Sequence, residues 1–485
     1  RLYLDRLRQE ANGPGTPLAQ ATPGPWFDNG HDFFSADGPD FNIQINPIAA
    51  LEFGPYSRRG EIRESDTYWR NRRGVRLSGR VGRQWFFEAR VEEVQEHVID
   101  AEVYSKKTIP RQRYVGYDPQ IVESGDSTEV NRVNRSVFDY GPSMGVVGFR
   151  SEHVEFRLGR DQYRLGYGIN SLFLSNYATE YDHILLNLHF WRFQYTYLLA
   201  SMRDQSSRSV DGTADRKTAL FHRLDVSVSD RFRFELFQSV VVMADPTSSS
   251  SSAFDIAMLN PLLFLRQFEK DYNRYGNKLI GGGFSFIARS SVRIYGQVLL
   301  DEFVANQIFS GKGYWANKWG IVTGLHISDP IDLQIEYSRV TPYTYSHRQS
   351  GTSYVHYEDL LGHPAGANFW DVTARLSSRF SNRLTFQTIS SITRRGANAL
   401  PLNYGSDPRL DYESRISDFG IKFLQGPKEL SVISDAYLSY ELLPRLYIDT
   451  SLRLWWSDHE TSGVNSIRRI GFGLRWGMPP MFSRN

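Results

Sequence analysis

Apolar and polar residues alternate with period two along most of this chain. Between Gly74 and Val91 the apolar positions are Val75, Leu77, Gly79 and Val81, set against Arg76, Ser78 and Arg80. After Gly82-Arg83-Gln84 the pattern returns as Trp85, Phe87, Ala89 and Val91 against Glu88, Arg90 and Glu92. This predicts two strands joined by a tight turn, each with one apolar and one charged face. The unit recurs: Leu333, Ile335 and Tyr337 oppose Gln334, Glu336 and Ser338, and Ile470, Phe472, Leu474 and Trp476 oppose Arg469 and Arg475. Charged rows this dense do not make a globular core. In a soluble sandwich they would face water, whereas in a membrane barrel they line a lumen while the apolar rows face lipid.

The connections decide between the two. Tight turns are predicted near Gly82-Arg83, Ser151-Glu152, Trp191-Arg192, Ser229-Asp230, Val292-Arg293, Asp329-Pro330, Ser381-Asn382 and Pro444-Arg445. Between them lie long segments at 99–136, 169–181, 205–216, 245–277, 305–316, 346–367 and 397–428. Strict sorting of short turns to one end and long loops to the other is the outer-membrane arrangement, with the loops external. About 18 strands are counted between 41 and 478, an even number as single-chain bacterial barrels require. Segment 411–425 is placed in a loop, since a strand there would make the count odd. The fold class is thus all-β, a transmembrane antiparallel up-and-down barrel spanning 41–485, with 1–40 as an N-terminal periplasmic segment or partial plug. Trp85, Tyr195, Tyr337, Trp456 and Trp476 suit interfacial girdles, and Arg339, on the apolar row beyond Tyr337, can reach head-group phosphate.

Composition changes little. The chain has 485 residues, a net charge of +2 and no cysteine, which excludes thiol chemistry and disulfides and gives no sign of a nucleic-acid surface. No apolar run reaches the roughly 18 residues of a spanning helix. The chain starts at Arg1 with no leader, which reads as a mature or trimmed start. Two segments could close the lumen. Residues 1–10 suit a short helix before the Gly/Pro-rich linker, and Asn260-Pro261 offers an N-cap and first-turn proline for a helix of about 10 residues in an external loop, folded onto or into the mouth.

Candidate chemistry is sparse. Asp301 and Glu302 end the strand from Tyr295 and could act as acid and base, but lumen charges paired with arginines are the more ordinary reading. His347, His356 and His363 share a loop with Glu358 and Asp359 at spacings that match no compact metal motif, so no metal or cofactor is assigned. The loops carry Tyr314, Trp315, Tyr343, Tyr345, Tyr354, Tyr357, Phe369 and Trp370. Aromatic faces beside polar groups suit carbohydrate or peptide, and they equally suit packing of loop on loop or an outer girdle. The candidate ligand-binding residues are Asp301, Glu302, Tyr314, Trp315, Tyr343, Tyr345, His347, Tyr354 and Tyr357.

Phe156 to Asn176, FRLGRDQYRLGYGINSLFLSN, resembles the strand-and-loop segment of Wzi-like capsule-assembly proteins. So do Asn260 to Asn273, Tyr295 to Phe303, Glu336 to His347 and Leu361 to Trp370, in the same order as in Wzi-like barrels of gliding, surface-polysaccharide-bearing bacteria. The resemblance implies a bacterial outer-membrane barrel without catalytic activity that holds capsular polysaccharide at the cell surface as a lectin, with relatives implicated in gliding motility. Its partners would be outer-membrane lipid, lipopolysaccharide and surface polysaccharide, with a surface protein or lipoprotein as a further candidate and no nucleic acid. The N-terminal segment departs from the family pattern, being short and Gly/Pro-rich for a full helical plug. Two other functions remain open: a subunit docking a motility, adhesin or secretion component, and a porin-like channel lined by Arg76, Arg90, Arg157, Arg453 and Arg475. An outer-membrane hydrolase or acyltransferase is a distant fourth.

Overall fold

The structure, a computed structural model, describes residues 32–59, 64–97, 137–208, 214–243, 258, 276–308 and 310–478. The helices expected at 1–10 and after Asn260 lie outside these residues, as does the expected loop 99–136.

One sheet of 20 strands contains two short outriders, Phe34–Asp37 and Val137–Tyr140, which leaves 18 in a closed ring. In chain order these are β1 (Phe41–Arg59), β2 (Glu64–Val81), β3 (Trp85–His97), β4 (Ser143–Arg150), β5 (Val154–Asp161), β6 (Tyr181–Phe190), β7 (Phe193–Arg208), β8 (Ala214–Ser227) and β9 (Phe232–Met243). They continue as β10 (Asn277–Arg289), β11 (Val292–Glu302), β12 (Lys318–Ile327), β13 (Asp332–Val340), β14 (Phe369–Arg379), β15 (Leu384–Gly396), β16 (Lys428–Leu443), β17 (Leu446–His459) and β18 (Gly463–Trp476). Each pairs antiparallel with the next, and β18 closes on β1 with Phe472 opposite Phe53. Closure leaves no strand edge to satisfy in lipid.

The alternation read from the sequence becomes the inside and outside of this ring. On β13 Ile335 is 42% exposed and the next residue, Glu336, is 1% exposed. Ionic partners cross between lumen-facing neighbours: Arg70 meets Glu96 at 2.6 Å, Arg72 meets Glu92, and Arg475 meets Asp449 at 2.6 Å. Arg76 and Arg90 stand directly opposite each other, and the like charges are offset by Glu88, diagonal to Arg76 at 2.7 Å, and by Glu92, two residues along the strand from Arg90 at 2.9 Å.

Seven of the expected tight turns fall where predicted, and the eighth sits at Ser290-Ser291, just before Val292-Arg293. Loop sorting is less strict than expected, because the connections 60–63 and 460–462, at the end that carries the long loops, are only a few residues long. Segment 411–425 holds a single 3-10 turn at Tyr412–Ser414 and no strand. The strand expected to run to 345 stops at Val340, where the Thr341 hydroxyl takes over the backbone of Trp319 and Tyr343 and Tyr345 adopt φ of 65 and 73°. Phe369 and Trp370 belong to β14 rather than to a loop.

A hydrophobic core sits inside the barrel. Leu172, Phe173 and Leu174, in the segment expected to be external, are wholly buried against inward residues of the wall, among them Phe221, Phe237 and Leu299. Phe173 stacks on Phe237 at 4.3 Å and meets Phe221 edge-on at 5.7 Å. The 162–180 loop therefore folds into the lumen. On the opposite side of the wall, Tyr197, Leu199 and Leu220 are covered by Met258, whose carbonyl accepts the Tyr197 hydroxyl at 2.6 Å.

Candidate functional site

The inward loop is anchored by buried polar groups from three distant strands. Glu336 of β13 accepts the backbone N–H of Ile169 and of Asn170, both at 2.8 Å, and the Tyr295 hydroxyl at 2.9 Å. Gln297 of β11 accepts the N–H of Leu172 at 2.8 Å and donates to Glu235 of β9 at 3.3 Å. The Tyr167 hydroxyl donates to Asp225 at 2.6 Å. Gly168 permits this approach, since a Cβ there would overlap the Glu336 carboxylate. Without these acceptors the loop amides would be buried unpaired.

A second loop, 341–368, packs onto the first. Tyr345 and Tyr354 stack at 5.6 Å, and their hydroxyls donate to the carbonyls of Leu172 at 2.9 Å and Phe173 at 2.5 Å. Tyr343 reaches the third loop, 397–427, donating its hydroxyl to Asn403 O and its N–H to Gly405 O, each at 2.8 Å. Tyr343, Tyr345 and Tyr354 are wholly buried. They are the joints between loops and offer no face to solvent, so of the two readings of these aromatics, packing describes these three. Tyr357 is half-buried at the barrel wall, its N–H on Arg203 O at 2.7 Å.

Asp301 and Glu302 do not meet arginines. Asp301 is buried with the ammonium of Lys318 at 3.2 Å and accepts the N–H of Tyr345 at 2.7 Å, while Glu302, partly exposed, stands 3.5 Å from the same Lys318. Lys318 also donates to Ser346 O at 3.0 Å and lies 4.9 Å from the Tyr412 ring, so one cation fastens β11 to both upper loops.

The three histidines are separated. His347 pairs with the Thr352 hydroxyl at 2.6 Å, His356 accepts the N–H of Arg203 at 3.0 Å, and His363 accepts the N–H of Ala365 at 3.1 Å. Burial, then the charges of Lys318 and Arg348, push the His347 imidazole down to about 4. Burial, then Lys217, pushes His356 down to about 3. Among the described residues no group of three or more metal-ligating side chains converges.

What reaches the outside is a ridge in which Tyr314 and Trp315 meet residues from 397–427. Trp315 packs on Tyr412 at 4.6 Å, Tyr314 on Phe419 at 5.3 Å, and the Arg415 guanidinium lies 4.4 Å from the Trp315 ring. Tyr314 and Trp315 are half-exposed, and Phe419 is 46% exposed. His347 borders the ridge through Tyr412, 5.8 Å away. The structure thus brings Tyr314, Trp315 and His347 to one surface, with Asp301 and Glu302 beneath it through Lys318, and withdraws Tyr343, Tyr345 and Tyr354 into the interior. Tyr412, Arg415 and Phe419 complete the ridge and escaped the sequence reading. The available signal was the aromatic and apolar content of 411–425 in a segment that is not a strand.

A family model for capsule assembly protein Wzi matches residues 66–417. No curated protein sequence matches. Among solved structures, Wzi of Escherichia coli, a carbohydrate-binding outer-membrane β-barrel involved in group 1 capsule assembly, is 12% identical and aligns with a TM-score of 0.49 over 87% of this chain and 84% of its own. OccK8 (OprE) of Pseudomonas aeruginosa is 10% identical, with a TM-score of 0.44 over 89% of this chain and 98% of its own. OccAB2 of Acinetobacter baumannii is 10% identical, with a TM-score of 0.45 over 94% and 100%.

Proposed function

This chain belongs to the capsule assembly protein Wzi family, and from that membership we propose that it holds capsular polysaccharide at the cell surface through its external loops, without catalysing a reaction. It is a bacterial outer-membrane β-barrel. The observation that carries the reading is the rim ridge: Tyr314, Trp315 and Phe419 offer ring surface to solvent beside the Arg415 guanidinium, which is held by Asp418 at 2.6 Å and Glu413 at 3.1 Å. Rings set next to fixed polar groups bind sugar faces at low entropic cost. In support, a protein carrying the family's name binds carbohydrate.

Purified protein in detergent, mixed with the producing cell's own capsular polysaccharide, should bind saturably. The Trp315→Ala, Phe419→Ala double variant should bind at least tenfold more weakly while its barrel stays folded. Equal binding by the variant would remove the ridge from the function. Tyr343→Ala with Tyr345→Ala is a poorer probe, because it dismantles the loop packing before it reports on a ligand.

A second reading has its own observation. At the tip of 397–427, Leu400 is 80% and Leu402 49% exposed, an apolar pair suited to docking a surface protein, lipoprotein or motility component. Failure of wild-type protein to bind the polysaccharide would move the assignment to that surface. The channel reading is less favoured: Arg157 pairs with Glu155 at 2.6 Å and Arg453 with Asp435 at 3.3 Å, as Arg76, Arg90 and Arg475 pair with carboxylates, and the 162–180 loop occupies part of the lumen.

A further inference from the structure

The lumen-facing arginines named above are matched by carboxylates, as burial of charge in the barrel interior requires. A stretch of the outer wall lacks this matching. In the cross-strand register Ile321 of β12 stands opposite Arg339 of β13, Arg339 opposite Trp370 of β14, and Trp370 opposite Arg394 of β15. Directly opposed residues share a face of the sheet. That face is the outer one, because Ser338 and Val340 beside Arg339, and Phe369 and Asp371 beside Trp370, are buried inward. All three residues lie close to the long-loop ends of their strands, the external rim of the bilayer.

Among the described residues neither Arg339 nor Arg394 has a carboxylate partner, whereas Arg73, also on the outer face, is matched by Glu93 at 2.6 Å. Two unmatched cations on a membrane-facing row are costly unless an anion meets them there. Arg339 is also held in place: its guanidinium lies 4.0 Å from the Phe423 ring and 5.5 Å from the Trp319 ring. Stacking uses the face of the guanidinium and leaves its N–H edge for an oxyanion. Strands β13 and β15 are separated by one strand, so the two arginine backbones are roughly 10 Å apart. Side chains of that length can meet on one phosphate group. Trp370 between them supplies the amphipathic ring that settles at a bilayer interface.

We propose that Arg339, Trp370 and Arg394 form a binding site on the outer wall for a phosphorylated glycolipid of the external leaflet, with the two guanidiniums on a phosphate and the Trp370, Trp319 and Phe423 rings against the sugar and upper acyl region. The ligand is recognised as an anion presented at the membrane interface, so the site differs in place and chemistry from the rim ridge and does not depend on the polysaccharide reading. It would fix the barrel laterally among the lipids that surround the surface polymer.

The test is native mass spectrometry of detergent-purified protein titrated with bisphosphorylated lipid A, alongside the same lipid with both phosphates removed. Wild-type protein should retain the bisphosphorylated lipid at least tenfold better than the dephosphorylated one. The Arg339→Gln, Arg394→Gln variant should lose that difference while keeping the heat-dependent gel mobility of a folded barrel, and Arg339→Lys, Arg394→Lys should recover part of it. Inorganic phosphate at millimolar concentration should not compete. Retention by the Gln variant within twofold of wild type, or equal retention of the dephosphorylated lipid, would overturn the site. Competition by inorganic phosphate would make it a free-anion site and overturn the lipid assignment.

Discussion

Asn170 donates its backbone N–H to Oε1 of Glu336 at 2.8 Å, across 166 positions of the chain. The bond joins a loop that leaves the external end of β5 to the inner wall of β13, and with the neighbouring Ile169 bond it turns an apparent surface loop into part of the barrel interior. Removing that acceptor should open the interior. In Glu336→Ala the amides of Ile169 and Asn170 and the hydroxyl of Tyr295 lose this acceptor, and a buried unsatisfied donor costs about 1–3 kcal/mol. Residues 162–180 should become protease-sensitive and exchange amide hydrogens faster, and conductance in planar bilayers should rise while the barrel remains folded. Wild-type exchange and conductance in this variant would show that the anchor is dispensable.

Lys318 is the fastening point of the upper loops. Lys318→Met leaves Asp301 buried without its cation, a change that costs about 3–5 kcal/mol when a buried pair is broken. Adding Asp301→Leu should restore much of the loss, since the charge that needs compensation is then gone. Thermal unfolding of the two single variants and the double variant gives the coupling. Additive losses would argue against the pair as the fastener.

The two faces of β13 should respond in opposite ways to charge. Ile335→Arg places a cation on the lipid-facing row and should cost about 2–4 kcal/mol if the residue lies at mid-bilayer. Refolding into lipid vesicles under a urea gradient measures it. No loss of stability would mean that the outer row has been misassigned.

Stability of the loop assembly should fall with acid. In the unfolded chain both imidazoles take up a proton near 6.5, whereas in the folded protein His347 does so only at about 4 and His356 at about 3. The folded pKa values are depressed, so stability from the neutral rings is full above pH 6.5. It declines as pH falls toward 4 for His347 and toward 3 for His356, because the unfolded chain binds protons that the folded loops exclude. The amide protection factors of 341–368, corrected for the intrinsic rate at each pH, should therefore fall between pH 6.5 and 4, and His347→Gln should flatten part of that slope. A flat profile over this interval for the wild-type protein would exclude the two histidines as its cause.

Much of the fold was legible before the structure. The apolar rows containing Ile335 and Phe472 and the polar rows containing Glu336 and Arg475 keep their alternation because a strand turns every second side chain to the same face, whatever surrounds it. Tight turns were visible for a similar reason: Gly82, at φ of 62°, and the short polar stretches beside it satisfy a local backbone requirement. The rim was only partly legible. Tyr314 and Trp315 were found by residue type, but type does not separate an exposed ring from a buried joint, so Tyr345 and Tyr354 looked the same and proved to be fully covered.

Period-two patterning and the lengths of the connections are local properties, and they already specify the strands, a count of about 18, the two faces and the membrane crossed. That 162–180 turns inward, that three tyrosines become joints between loops, and that Arg339 and Arg394 flank Trp370 on one wall follow from the closed fold alone. Those outcomes depend on partners such as Glu336 for Asn170 or Leu172 for Tyr345, which lie more than 150 residues away and meet only once the ring has closed. A buried amide or hydroxyl is satisfied by whatever acceptor closure brings to it, and no local pattern names that acceptor in advance.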